Sequence, residues 1–188
     1  MCLALSAASP PDALSASPEV MTFDTARARA EFEVHVMWLF PVHGRFGTLQ
    51  GTIAVDRLHA TAKVDARIDG NDVHMRSAGN EDWVKSAEFF DAEHFPQIQF
   101  VSESFPLVLL KSGGKIDGVL TIRGVTRRAR FELAESDCPD AIARTCPVEA
   151  AGTIRRSDFG MRSRRGALSD KVQLELSVYV LPAAEATP

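Results

Sequence analysis

The chain has 188 residues, of which 45% are apolar and 24% are charged, and its formal net charge is −4. This length and composition fit one globular domain. The negative charge argues against a general nucleic-acid-binding protein, because such a protein needs excess positive charge to neutralise phosphates. The sequence also has no apolar stretch near the roughly 20 residues that a membrane-spanning helix needs.

The first twenty residues differ in composition from the rest of the chain. Residues 2–8 are small and apolar, like the end of a secretory signal, although no Lys or Arg precedes them. Residues 9–20 are rich in Pro, Ser and Ala, which is typical of a linker. We therefore expect a signal remnant, with its true start upstream of Met1, or a disordered linker. The predicted division is this segment at 1–20, a folded domain at 21–181 and a disordered tail at 182–188.

Alternation of apolar and polar residues is the dominant pattern of the domain. It is strong at 26–36, 60–68 and 172–180. Because successive side chains of a strand point to opposite faces, each of these strands has one apolar face and one polar face. Weaker alternation predicts five more strands, at 49–55, 98–100, 105–110, 116–122 and 129–133. Eight strands without interleaved helices predict an all-β antiparallel architecture.

Residues 80–92 break this alternation. Trp83, Val84, Ala87 and Phe90 recur there at spacings close to one face of a helix. Asn80 is placed to cap such a helix, and Pro96 would stop its extension. The segment therefore predicts one short helix or helical loop inserted between strands.

The apolar faces of two strands carry many alanines. Three alternate through 26–30, and three more lie within 60–66. An antiparallel sheet of this length protects its edges by closing into a barrel. Small residues on the inner wall of a barrel would leave its lumen partly unfilled. The alternative is that the alanines pack against a helix or a second sheet, and the scarcity of predicted helices weighs against it.

The chain has three cysteines, Cys2, Cys138 and Cys146. Neither a C-x-x-C pair nor a histidine at metal-ligand spacing accompanies the two later ones. We favour a Cys138–Cys146 disulfide and, with it, an oxidising compartment such as a bacterial periplasm. The alternative is a pair of free thiols in a cytosolic protein.

Candidate catalytic and metal-binding residues are scattered. The five histidines are spread along the chain, so we expect no metal site. Ser157 and Asp158 are not part of a G-x-S-x-G elbow, so we expect Asp158 to be structural and Gly160 to adopt a conformation that other residues resist. The arginines at 155, 156, 162, 164 and 165 indicate either a solvated surface or a basic rim suited to an anionic headgroup.

Three motifs, in order along the chain, carry a resemblance to a known family. They are Phe89-Phe90-Asp91 with Phe95-Pro96, then Gly118-Val119-Leu120-Thr121-Ile122 with Gly124-Val125-Thr126, then Arg156-Ser157-Asp158-Phe159-Gly160-Met161. Over 22–180 the chain resembles the YceI-like family of lipocalin-like, polyisoprenoid-binding bacterial proteins. The resemblance implies an antiparallel barrel whose apolar tunnel holds an isoprenoid or similar amphiphile, and export to the periplasm. The chain departs from many members in having Arg27 and Val36 at positions of family histidines, and in its sequence at 80–86.

The resulting prediction is an eight-stranded antiparallel lipocalin-like barrel that binds an isoprenoid or other long-chain lipid without catalysis. Each CH₂ moved out of water contributes about 0.8 kcal/mol, so a long chain needs few polar contacts. We expect no cofactor, no metal and no nucleic-acid partner, and we leave open a transient membrane-surface contact and a homodimer. The competing hypotheses are a lipid-modifying enzyme that uses the same cavity and a solid-cored protein-interaction module.

The predicted site has two parts. The lumen wall is assigned to Phe32, Val34, Ala62, Val64, Phe90, Phe100, Leu120, Ile122, Leu174 and Leu176. The headgroup rim is assigned to Arg162, Arg164 and Arg165.

Overall fold

A computed structural model describes residues 17–138, 144–164 and 166–181. Within these residues the chain forms twelve β-strands, two short α-helices and one 3₁₀ helix, Arg156–Phe159. The helices are α1 (Ala78–Lys85) and α2 (Leu109–Ser112). The strands are β1 (Glu19–Thr22), β2 (Arg29–Val36), β3 (Phe40–Phe46), β4 (Leu49–Asp56), β5 (Thr61–Asp69), β6 (Val73–Met75), β7 (Gln97–Ser102), β8 (Phe105–Pro106), β9 (Gly114–Ile122), β10 (Val125–Leu133), β11 (Val148–Arg155) and β12 (Leu168–Val178). Neither described α-helix has the length and apolar character needed to cross a membrane.

The strands form one curled antiparallel sheet. Its order is β1-β4-β5-β7-β9-β10-β11-β12-β2-β3-β6, and β8 pairs with β5. The last strand, β12, lies beside β2, with Leu174 opposite Phe32. β3 continues into β4 after only Gly47 and Thr48, although the two strands lie near opposite ends of the order. This continuity makes the sheet curl around an enclosed interior.

The strand count of twelve in the described residues replaces the predicted eight. Strands β1, β3, β6 and β11 were not predicted, and β1 begins within the segment expected to be a linker. The predicted strand at 105–110 contains only the two residues of β8, after which the chain enters α2. The backbone at Val108 is already helical, so alternation ends there.

Two of the strands that were not predicted, β3 and β6, are separated from a predicted neighbour only by a bend in the chain. β3 and β4 are separated by Gly47 and Thr48, and β5 and β6 are separated by 70–72. The Gly47 N–H donates to the carbonyl of Asp72 at 2.7 Å, so the two bends lie side by side. Each bend lets one chain segment pair with two different neighbours.

The alternation pattern itself is confirmed along β2. Ala28, just before this strand, and Ala30, Phe32 and Val34 within it are buried, whereas Arg29 is exposed. Ala26, which was expected on the apolar face, is exposed in the turn before the strand. Ala60 is likewise exposed, in the turn that precedes β5.

The predicted helical insertion corresponds to α1, although its boundaries differ. The N-cap is Ser77 rather than Asn80, and the helix ends at Lys85, so Ala87 and Phe90 lie in the turns that follow. Helix α2 and the 3₁₀ helix were not predicted.

The predicted disulfide is confirmed. Cys138 and Cys146 are bonded, with their Cα atoms 6.0 Å apart. It connects the chain after β10 to the segment just before β11. Cys2 and the signal-like segment lie outside the described residues.

Candidate functional site: an apolar cavity inside the curled sheet

The curled sheet encloses a cavity of about 160 Å³. Its wall is built from inward-facing residues of β2, β3, β5 to β7 and β9 to β12, and α1 and the turns after it close one end. The apolar wall residues include Ala30, Phe32, Val34, Val36, Val42, Phe46, Ala66, Ile68, Met75, Ile98, Phe100, Leu120, Ile122, Phe131, Ile154, Met161, Leu168, Val172, Leu174 and Leu176. A dry apolar cavity of about 150 Å³ is large enough to take up a small apolar molecule. This interior can therefore hold an apolar group.

Three phenylalanines form one side of the wall. The ring centroids of Phe32 and Phe46 lie 5.4 Å apart, and the Phe90 ring lies 6.2 Å from Phe32 and 5.7 Å from Phe46. Gly44, opposite Phe32 on β3, makes this arrangement possible, because a Cβ at Gly44 would overlap the Phe32 ring. A second pair, Phe100 and Phe131, packs edge to face at 4.8 Å on the other side.

Eight of the ten predicted wall residues line this cavity in the structure: Phe32, Val34, Phe90, Phe100, Leu120, Ile122, Leu174 and Leu176. Ala62 and Val64 belong to the interior face of β5 but lie away from the cavity wall. Ala62 is buried beside β8, opposite Phe105, and Val64 lies opposite Ile53 of β4. The unfilled space expected beside alanines is present at Ala30 and Ala66.

Several residues of the cavity wall were not predicted from the sequence. They include Phe46, Phe131, Ile154 and Met161. Ile154 follows Val148, Ala150 and Gly152 at alternate positions of β11, so the same alternation rule could have found it. Met161 follows a 3₁₀ helix, where no simple periodicity applies.

One charged residue of the cavity wall, Arg156, is buried. Its side chain is 2% exposed, so it does not belong to the solvated arginine surface considered above. The guanidinium donates to the backbone carbonyls of Met161, Ser163, Leu168 and Ser169 at 2.7–3.2 Å. It thereby fixes the segment between the 3₁₀ helix and β12 against the end of the cavity.

A carboxylate completes this arrangement. The backbone N–H and the hydroxyl of Ser157 donate to the carboxylate of Asp170 at 3.0 and 2.8 Å. Burial alone would raise the pKa of Asp170, but these hydrogen bonds and the charges of Arg156 and Arg155 outweigh it and lower that pKa. Asp158, which was expected to have the structural role, is exposed. Gly160 has φ 81°, as expected for a position that favours glycine.

The predicted rim arginines lie at this same end. Arg162 and Arg164 are exposed, and neither is part of the cavity wall. The Arg164 guanidinium lies over the ring of Trp83 at 4.7 Å, and Trp83 lines the cavity. Arg165 lies outside the described residues. Across residues 17–138, 144–164 and 166–181, no three His, Cys, Asp or Glu side chains converge as metal ligands.

Comparisons with known proteins identify relatives of the whole domain. The model of the YceI-like domain matches residues 21–180. The YceI proteins of Salmonella arizonae and Salmonella newport are each 33% identical over 147 residues, which cover 75% of this chain and 73% of the relative.

Solved structures share the fold. BcnA of Burkholderia cenocepacia superposes with a TM-score of 0.64 at 22% identity, over 83% of this chain and 98% of that one. A polyisoprenoid-binding domain from Saccharophagus degradans, implicated in plant cell wall breakdown, has a TM-score of 0.61 at 11% identity, over 86% and 98%. The Campylobacter jejuni YceI protein has a TM-score of 0.53 at 23% identity, over 76% and 85%.

Proposed function

Because this chain belongs to the YceI-like family, we propose that it binds the apolar chain of an isoprenoid or another long-chain amphiphile, without catalysis. The observation that carries the proposal is the apolar cavity of about 160 Å³ inside the sheet. Polyisoprenoid binding by the structurally similar Saccharophagus degradans domain supports the ligand class.

The cavity favours apolar chains through burial. Its wall is formed by branched aliphatic and aromatic side chains, and each CH₂ placed there contributes about 0.8 kcal/mol. A chain longer than the cavity must displace wall side chains or extend out of it. Phe90 and Trp83 are half-buried on the α1 side, where the wall is least tightly held by strands. We therefore place the entrance at α1.

The polar headgroup of the ligand would lie at the same end. Asn80 and Arg156 line the cavity there, and Arg164 covers Trp83. Arg156 is already bonded to four carbonyls, which suits an orienting role better than a proton-transfer role. Arg162 and Arg164 are exposed cations near this entrance, and guanidinium groups match the geometry of phosphate oxygens.

The competing hypotheses fit these observations less well. A solid-cored interaction module would not leave a cavity of this size beside Ala30 and Ala66. An enzyme would need converging titratable groups that reach a buried ligand. The charged residues of the wall are Arg156, held by carbonyls, and Glu31 and Glu175, which are exposed residues of the paired strands β2 and β12.

We place the protein in an oxidising compartment, with the periplasm as the specific proposal. The Cys138–Cys146 disulfide supports it, because such bonds persist outside the reducing cytosol. Cell fractionation with thiol labelling tests it. Recovery of the protein in the cytosolic fraction with both thiols reactive would contradict it.

Two measurements test ligand binding. Mass spectrometry of an organic extract of the purified protein identifies a bound lipid, and the apolar dye N-phenylnaphthylamine measures binding to the cavity. Ala66→Leu fills the cavity and should remove dye binding, whereas Ala151→Leu, on the exposed face of β11, should bind like the wild type. Overpacking costs about 1–3 kcal/mol, so melting temperatures are recorded, and Ala30→Val serves as a milder filling variant. Unchanged dye binding in both filling variants would show that the dye binds outside the cavity.

The headgroup experiment compares a prenyl phosphate with the matching prenyl alcohol. Arg162→Gln/Arg164→Gln should weaken binding of the phosphate and spare the alcohol, because only the phosphate gains charge-assisted hydrogen bonds. Arg128→Gln/Arg130→Gln, at alternate positions on the exposed face of β10, is the matched control. Equal losses for both ligands would place the headgroup elsewhere.

A further inference from the structure

The turn between β2 and β3, together with the first residue of β3, exposes four consecutive large apolar side chains. Met37, Trp38, Leu39 and Phe40 are 60–76% exposed, and they form the one consecutive run of such side chains in the described part of the chain. Scattered exposed apolar residues are ordinary on protein surfaces, whereas a contiguous patch marks an interaction site.

The backbone of this turn adds to its significance. Met37 has φ 50° and Trp38 has φ 61°, so two bulky residues occupy the left-handed region. Asn and Gly adopt that region at lower cost, and they are the usual residues of such turns. Large apolar side chains at these two positions are therefore costly to folding, which indicates that they serve another purpose.

The patch lies at the ligand entrance. Val36 and Val42, on either side of the turn, both line the cavity, so apolar surface continues from the patch into the interior. The Met37 N–H donates to the carbonyl of Ala167 at 2.6 Å, which joins the turn to the segment that carries Arg162 and Arg164. Trp38 lies beside Ser157, Leu168 and Asp170.

The charge around the patch has the opposite sign to the whole chain. Residues 155–171 contain six basic and two acidic residues, against a net charge of −4 for the protein. Arg156 is buried, whereas Arg155, Arg162, Arg164 and Lys171 are exposed. Of the two acidic residues, Asp170 already accepts two hydrogen bonds from Ser157. An apolar tip beside a cationic segment matches the hydrocarbon and the anionic headgroups of a bilayer surface.

The size of the patch favours a lipid surface over a protein partner. Four large side chains exposed by about two thirds present about 500 Å² in all. A stable protein complex buries roughly 800 Å² on each partner. Trp, Phe and Leu are also the apolar side chains that bury at the boundary between headgroups and hydrocarbon in proteins that bind a membrane surface.

We propose that residues 37–40 insert into the surface of an anionic bilayer while the exposed arginines of segment 155–164 contact its headgroups, so that the cavity entrance faces the membrane. Docking in this way would let an apolar chain pass between bilayer and cavity with little exposure to water. The docking stands on the patch and its charge, and only this transfer role rests on the proposed lipid binding.

The test is flotation with vesicles of phosphatidylcholine, with and without phosphatidylglycerol. The wild type should bind the vesicles that contain phosphatidylglycerol, and added salt should weaken that binding as it screens the headgroup charge. Leu39→Glu should reduce binding by about tenfold or more, because it places a charge in the inserted tip. Leu58→Glu is the matched control, since Leu58 is an exposed leucine in the turn between β4 and β5. It should bind like the wild type.

A second variant separates docking from folding. Met37→Asn/Trp38→Gly should keep or raise the melting temperature, because it suits the left-handed turn, and yet should lose vesicle binding. Equal binding by Leu39→Glu and Leu58→Glu, or no binding by the wild type, would overturn the proposal. So would a wild-type dimer that Leu39→Glu converts to monomer in sedimentation, because the patch would then be a contact between copies.

Dye binding in solution distinguishes the two proposals. Leu39 is not part of the cavity wall, so Leu39→Glu should bind N-phenylnaphthylamine like the wild type. Vesicle binding that depends on Leu39 in a protein that takes up no dye would leave docking standing and refute the cavity function. Dye uptake together with vesicle binding that does not depend on Leu39 would support the cavity function and refute the docking proposal.

Discussion

At the scale of single residues, Arg156 shows how a charge can be accommodated inside an apolar interior. Its guanidinium is enclosed, and its donors go to backbone carbonyls of one chain segment. The planar guanidinium can serve several acceptors at once, which a lysine ammonium at the same place cannot reproduce.

Arg156→Met should therefore lower the free energy of unfolding by about 3 kcal/mol or more, because it leaves several carbonyls without donors. Arg155→Met, one residue earlier and exposed, should change it by less than about 0.5 kcal/mol. Urea titrations of both variants measure the difference. Similar midpoints for the two would contradict the structural role of Arg156.

Gly44 is the second decisive residue, because the Phe32 ring occupies the space where a Cβ would lie. Gly44→Ala should cost about 1–3 kcal/mol and disturb the Phe32, Phe46 and Phe90 cluster. Gly79→Ala, in the first turn of α1, where a Cβ would meet only ordinary contacts, should stabilise by about 0.4–1 kcal/mol. The melting temperature should fall in Gly44→Ala and rise in Gly79→Ala. A shift in the same direction in both variants would contradict the explanation from packing at Gly44.

At the scale of elements, the link between the 3₁₀ helix and β12 depends on Asp170. Its pKa is lowered in the folded protein, so its stabilising contribution is present above the unfolded value near 3.8 and is lost as the pH falls through the lower folded pKa. Asp170→Asn should destabilise the protein at neutral pH, and this difference should shrink below about pH 3.8.

The comparison is made by urea unfolding of the wild type and Asp170→Asn at several pH values. Asp158→Asn, at an exposed residue next to Ser157, provides the control and should show a small effect throughout. A difference between wild type and Asp170→Asn that stays constant with pH would show that the carboxylate charge is not what matters.

At the scale of the whole molecule, ligand binding and stability are coupled. A ligand that occupies the cavity of the folded state alone should stabilise it by about 2.7 kcal/mol at a concentration one hundred times Kd. Protein stripped of lipid with organic solvent and refolded should therefore melt at a lower temperature than protein as purified. Readdition of a prenyl alcohol should restore the higher melting temperature in the wild type and fail to do so in Ala66→Leu.

The local sequence pattern determined where several strands lie, which of their faces point inward and which cysteines pair. Alternation in 26–36, 60–68 and 172–180 located β2, β5 and β12 and assigned their inner faces, because the side-chain period of a strand is a local property. The short spacing of Cys138 and Cys146 correctly paired them. Eight of the predicted wall residues line the cavity for the same reason, since an inward face is read directly from alternation.

Only the tertiary structure decided the remainder. β1 and β6 exist because distant segments, β4 and β3, offer them unpaired backbone groups, and nothing local in Glu19–Thr22 reveals that partner. The bends at Gly47 and 70–72 depend on contact with each other. The neighbouring arginines in the sequence suggest that Arg156 is a surface cation. It is buried because residues 161–169 fold back and supply carbonyl acceptors for its guanidinium. A sequence period tells which way a side chain points, whereas pairing and enclosure depend on segments far apart in the chain.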